Sequence, residues 1–228
     1  MAELFDEWSE KYEQWFETPI GRLIKGYEQE LIFKMLNPEH GDKILDAGCG
    51  TGIFVVDLIE AGAHVVGLEL SHVMLRRTLE KFPGQTFYPV QGDMIRLPFA
   101  DNSFHRTVSN TAIEFIEDAG SAIDELFRVT RPGGVIVVTT LSSLSPWADR
   151  RQKAAQKGHP LFGHVAFRSP DELLNLSPVE GSFKTAIHFE KDVGPRMAQQ
   201  IEEAGRKRNL DTGAFLAVSW KKPETPGS

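Results

Sequence analysis

The chain has 228 residues, 41% of them hydrophobic, a net charge of -7 and a pI near 5.5. That is enough for one α/β domain with a substantial core, and the acidic balance argues against a nucleic-acid partner, because phosphate binding asks for a clustered basic face. A single cysteine, Cys49, excludes an intramolecular disulfide and a cysteine-based metal cluster, so no metal site is expected.

Residues 3 to 17 carry Phe5, Trp8, Tyr12, Trp15 and Phe16 at helical spacing with acids between them, the pattern of an amphipathic helix with an aromatic stripe. Its first ten residues are acidic and lack the basic region and apolar run of a secretory leader, and no apolar stretch reaches membrane-spanning length. A cytoplasmic protein, monomer or homodimer, with no membrane partner is therefore expected. Thr18-Pro19-Ile20-Gly21 reads as a break, followed by a helix over 22–36 and a loop at 37–42.

From Lys43 short apolar strands alternate with helices. Strands are expected at 43–46, 64–70, 86–90, 104–109 and 135–141, and helices at 53–61, 71–82 and 119–129. Pro89 lacks an N–H to donate and predicts an edge position for the third strand. Such alternation indicates a parallel sheet covered on both faces. Residues 142–168 are polar and read as an insertion above the sheet. Ser169-Pro170 starts a further helix. Strands at 183–190 and 214–220 flank a helix at 196–208, a second candidate cap, and 221–228 is a polar tail. One domain over 1–228 is expected: an N-terminal cap (1–36), a core (43–141), an insertion (142–168) and C-terminal elements (169–220).

Four features recur at the carboxyl ends of successive strands, where open α/β sheets bind ligands. They are Asp46 with the glycines of Ala47-Gly48-Cys49-Gly50-Thr51-Gly52, then Glu69, then Gln91-Gly92-Asp93-Met94, then Ser109-Asn110-Thr111. Glycines at 48, 50 and 52 let the backbone turn tightly where a Cβ would collide with a ligand. An acid about 20 residues after such a loop is positioned to take both ribose hydroxyls.

These residues resemble the class I S-adenosylmethionine-dependent methyltransferases, in particular the methyltransferase type 11 group. Leu45 to Gly52 matches the first motif of that family. Gly67-Leu68-Glu69-Leu70-Ser71 is similar to its second, Gln91 to Phe99 to its third, and Leu126 to Gly134 to the turn before its fifth strand. The resemblance implies a Rossmann-like α/β fold, a seven-stranded sheet of order 3-2-1-4-5-7-6 with strand 7 antiparallel, helices on both faces and helical caps. It also implies S-adenosylmethionine as cofactor, S-adenosylhomocysteine as product, and cofactor-binding roles for Asp46, Gly48, Cys49, Gly50, Glu69, Leu70, Asp93, Met94 and Asn110. His105 departs from the Asp common in the family and reads as a neutral surface change. Glu114-Phe115 stands where relatives often place histidines, leaving the general base open.

Candidate bases are Glu114, His159, His164 and Tyr12, and candidate pocket residues are Tyr12, Trp15, Trp147, Phe162 and His164. The expected acceptor is a small molecule, aromatic or partly apolar. Two rival readings stand beside methyl transfer. One is a non-catalytic subunit or sensor that binds S-adenosylmethionine or S-adenosylhomocysteine. The other is a nicotinamide-dependent oxidoreductase, disfavoured because the glycines run G-x-G-x-G directly after Asp46 instead of G-x-G-x-x-G.

Overall fold

A computed structural model describes residues 13–82 and 87–224. Phe5, Trp8 and Tyr12 of the expected aromatic helix lie outside them. The described elements begin with α1 (Pro19–Leu36), β1 (Lys43–Ala47), α2 (Val55–Glu60), β2 (His64–Glu69) and α3 (His72–Lys81). They continue through β3 (Phe87–Gln91), β4 (Phe104–Ser109), α4 (Ala119–Val129), β5 (Thr130–Leu141) and α5 (Pro146–Gln156). The chain closes with α6 (Pro170–Leu174), β6 (Gly181–Ala186), α7 (Pro195–Lys207) and β7 (Phe215–Lys221), and short 3-10 turns span Ile113–Phe115 and Phe162–His164.

The seven strands form one sheet of order β3-β2-β1-β4-β5-β7-β6, with β7 antiparallel to both its neighbours and the remaining pairs parallel. β3 lies at the edge, so the missing N–H of Pro89 costs little.

Strand alternation divides the core in two. Ile44, Val65, Val108 and Val137 face α1, α2, α3 and α7, where Ile24, Leu31, Leu36, Leu58, Leu75 and Ala198 meet them. Leu45, Val66, Ile136 and Val138 point the other way, onto Ile123 and Leu126 of α4 and Leu173 of α6. Each fully buried leucine or isoleucine contributes roughly 1.5–3 kcal/mol relative to exposure. A doubly covered sheet of this kind leaves only its carboxyl edge open, and the strand-end acids are found there.

Several boundaries differ from expectation for local reasons. The break expected at residues 18–21 is shorter, confined to Glu17 and Thr18, and the next helix starts at Pro19: Thr18 accepts the Gly21 N–H at 3.0 Å and Pro19 occupies the first turn, where a missing N–H is tolerated. The polar insertion contains α5, capped by the Ser145 hydroxyl and opened by Pro146. The strand expected over 183–190 ends at Ala186, because Ile187 takes a left-handed φ of 66°. His105 is only partly exposed and its Nδ1 accepts the Lys43 N–H at 2.7 Å, so it ties β4 to β1 and is not a neutral change. Burial, with Arg131 adding, holds its pKa below the ordinary histidine value.

Candidate functional site

The turn after β1 is built from backbone. The N–H groups of Gly48 and Cys49 both donate to Leu68 O, at 2.7 and 3.0 Å, binding the end of β1 to the end of β2. Gly48 has φ of +83°, and a Cβ there would stand 2.5 Å from the Cβ of Ala112. At Gly50 the N–H donates to Glu69 Oε2 at 3.0 Å, and the other carboxylate oxygen accepts the Ser71 N–H at 2.8 Å. Ser71 in turn caps α3 through the Met74 N–H. One acid thus braces the turn, the strand end and the next helix.

Asp46 is buried and its Oδ1 has no hydrogen-bond partner among the described residues. Burial, with the Glu69 charge adding, pushes its carboxyl up to about 7. Asp93 is exposed at the end of the third-strand loop and accepts the Ile95 N–H at 3.1 Å. Met94 is buried and receives the Ser109 hydroxyl at sulfur, 3.7 Å away. Asn110 Oδ1 accepts from Thr139 Oγ1 at 2.6 Å, which fixes the amide at the end of β4. Cys49 is buried with its thiol pushed up by burial, a packing residue in character.

All nine expected cofactor residues line one cavity of about 1190 Å³. That volume exceeds the roughly 300–1,000 Å³ of a single-ligand pocket, so there is room for a second molecule. The same cavity is lined by Trp15 and Phe16, by Trp147 and Phe162, and by Glu114 and His159. Trp147 is held by a 2.6 Å hydrogen bond from Nε1 to Phe189 O, and His159 stacks on Phe162 with centroids 4.3 Å apart. His164, a candidate base and pocket residue by sequence, is exposed and does not line the cavity. Tyr12 lies outside the described residues. The helix at 195–207, a candidate second cap, contributes no lining residue either.

Glu28 and Arg151 are among the lining residues that escaped sequence reasoning. Glu28 of α1 is buried on the cavity wall, and its carboxyl is pushed up to about 8 by burial, which outweighs the pull of Arg151, with Glu114 adding. A signal existed: Glu28 falls between Ile24 and Leu31-Ile32, inside the apolar stripe of its own helix. Arg151 of α5 lies over Trp147, its guanidinium carbon 5.0 Å from the ring centroid, and 6.0 Å from that of Phe162. Its Nη1 is buried with no hydrogen-bond partner, and burial pulls its pKa down to about 10. Glu114 accepts from Thr140 Oγ1 at 3.2 Å and is pushed up to about 7, chiefly by burial. Among the described residues no group of His, Cys, Asp and Glu is arranged to hold a metal.

S-adenosylmethionine fits the cradle on this geometry. A Cβ at Gly50 would meet nothing nearer than Met74 Sδ at 3.9 Å, so the turn opens onto free space, and Asp46 Oδ1 offers an unused acceptor beside it.

A family model described as a methyltransferase domain matches residues 45–138. The malonyl-[acyl-carrier protein] O-methyltransferase of Erwinia billingiae is 38% identical over 133 residues, 54% of this chain and 52% of that protein. The chain therefore spans about half the length of such relatives. The demethylmenaquinone methyltransferase of Streptomyces avermitilis is 26% identical over 225 residues, 96% of this chain and 92% of that one. Among solved structures, a SAM-dependent methyltransferase from Thermotoga maritima superposes with a TM-score of 0.75 at 22% identity, covering 96% of this chain and 98% of its own. That likeness shows the shared fold. With residues 45–138 matched to that family model and its strand order that of the shared fold, the chain resembles the class I S-adenosylmethionine-dependent methyltransferases.

Proposed function

We propose that this chain transfers the methyl group of S-adenosylmethionine to a small, partly apolar acceptor. The observation that carries the reading is continuity: the glycine cradle and the aromatic compartment are parts of one cavity. When bound, the cofactor supplies a methyl group already activated by its sulfonium, so the chain has mainly to align and exclude water.

Each residue then has a definite task. Glu69 takes the ribose hydroxyls, and Asp93 takes the adenine amino group. Asp46 and Asn110 hold the methionine end. Trp15, Trp147 and Phe162 flank the acceptor and keep the compartment dry. Glu114, with a carboxyl near 7, is poised to take a proton from an acceptor that must lose one.

Relatives named for malonyl-[acyl-carrier protein] and for demethylmenaquinone differ in acceptor, and these are the first two to assay. No helix among the described residues is long and apolar enough to cross a membrane, and the same reading makes the protein a cytoplasmic monomer or homodimer. The test is calorimetric binding of S-adenosylhomocysteine followed by its release from S-adenosylmethionine in the presence of fractionated metabolites. Binding without any release would favour the non-catalytic sensor. Tight NADH binding with no affinity for S-adenosylhomocysteine would favour the oxidoreductase.

A further inference from the structure

The cavity wall holds an electrostatic arrangement that methyl transfer alone does not require. Arg151 and its neighbour Arg150 both line the cavity, but Arg150 is paired with Asp192 at 2.7 Å. Arg151 has no such partner: among the described residues it makes no ion pair, and its Nη1 is buried without an acceptor. Buried donors are nearly always satisfied, and a guanidinium is the donor least suited to being left alone. The two acids that face it are Glu28 and Glu114, and neither forms a hydrogen bond with it. Glu114 is instead engaged by the Thr140 hydroxyl. Both carboxyls are biased by burial toward their neutral forms, so they compensate the arginine poorly.

The same guanidinium lies over the Trp147 ring, whose own N–H is committed to Phe189 O. The fork is therefore presented from a shelf anchored through its indole N–H, with Phe162 beside it. A planar fork on an aromatic shelf in a partly apolar chamber matches a carboxylate or phosphate carried on an apolar body.

We propose that the acceptor carries an oxyanion, bound through the Arg151 guanidinium on the Trp147–Phe162 shelf. This names the substrate class of the proposed methyl transfer and rests on that reading. Arg151 is a binding residue in this scheme; the oxyanion pairs with the guanidinium charge and the shelf holds the apolar body.

The test uses the full chain saturated with S-adenosylhomocysteine and four probes of one shape: benzoate, phenyl phosphate, benzamide and benzylamine, titrated calorimetrically. One of the two anions is expected to bind about tenfold or more tighter than benzamide, as a hydrogen bond to a charged group implies. Benzoate against phenyl phosphate decides between carboxylate and phosphate. R151Q is expected to erase the preference while leaving S-adenosylhomocysteine affinity as in the wild type. R151K, which keeps the charge but loses the fork, is expected to weaken the preference several-fold and serves if R151Q misfolds. The proposal is overturned if benzamide or benzylamine matches both anions, if no probe binds, or if the anion preference survives in R151Q. A wild type that fails to bind S-adenosylhomocysteine instead sinks the methyl-transfer reading, and the same titrations without it then decide the Arg151 site separately.

Discussion

The Gly50 N–H donates to the Glu69 carboxylate at 3.0 Å, joining a turn and a strand end that lie 19 residues apart. The other oxygen holds Ser71 N–H, so this side chain organises the cradle as well as facing it. Glu69→Gln is expected to weaken S-adenosylhomocysteine binding about tenfold or more, because a charge-assisted bond of roughly 1.5–3 kcal/mol is lost. Calorimetric titration measures it. Unchanged affinity would remove Glu69 from the site.

Two of the three glycines of the turn should separate stability from binding. Gly48→Ala forces a left-handed residue and a 2.5 Å approach to Ala112, and is expected to cost about 2–4 kcal/mol of stability. Gly50→Ala meets no crowding and should cost only about 1 kcal/mol, yet its methyl group projects into the cradle. Thermal melts and S-adenosylhomocysteine titration are to be read together. A Gly50→Ala variant that binds like the wild type would show that the cofactor lies elsewhere.

Buried Glu28 should make stability fall as pH rises. Its folded carboxyl is raised to about 8 from an ordinary 4.5, so the folded chain retains a proton that the unfolded chain releases. That contribution is complete below about pH 4.5 and is lost progressively until pH passes about 8, at roughly 1.4 kcal/mol per pH unit for one such group. Asp46 and Glu114, each raised to about 7, act in the same direction over the lower part of that window. Glu28→Gln is expected to flatten the profile and to be more stable than the wild type at pH 8. Denaturant unfolding between pH 5 and 9 checks this.

If Glu114 accepts the acceptor's proton, kcat/KM should rise with pH to a plateau above about 7. Glu114→Gln should abolish that limb and lower kcat by about 100-fold or more, with S-adenosylhomocysteine affinity retained. His164→Ala, at an exposed position outside the cavity, should leave both constants unchanged. A pH–rate profile identical in Glu114→Gln and wild type would exclude the role.

Arg106 offers a control remote from the chemistry. It donates to Leu36 O at 2.9 Å, to Glu39 at 2.8 Å and to the buried Asp42, stitching β4 to the loop after α1. Arg106→Ala strips the buried Asp42 of its guanidinium, leaving it the Glu39 N–H, and is expected to cost about 3–5 kcal/mol. Cofactor affinity, measured below the melting transition, should be preserved.

The core was legible because its signals are local. Phe104–Ser109 and Ala119–Val129 fall where β-branched runs and helical spacing put them, and Pro89 announced its edge strand by the bond it cannot make. Errors arose where one residue type serves two purposes. Thr18-Pro19 reads equally as a break or as a capped helix start, and only the path of the following chain distinguishes the two. Phe183 to Glu190 reads as one strand because composition does not reveal the left-handed backbone at Ile187. In the polar stretch 142–168 α5 went unseen, since its buried contacts come chiefly from Trp147 and Ala148 at one end.

By itself the sequence determined the sheet, the glycine turn and the acids at the strand ends, because strand period, turn chemistry and strand termini depend on neighbouring residues. The tertiary structure alone brought Glu28 and Arg151 to the cavity wall beside Glu114. Glu28, Glu114 and Arg151 sit on a helix, a 3-10 turn and another helix widely separated in the chain, and each alone has an ordinary explanation as a surface charge. Their protonation and pairing depend on how much water the fold removes and which charge it brings opposite. Those are properties of three-dimensional packing, which no local pattern encodes.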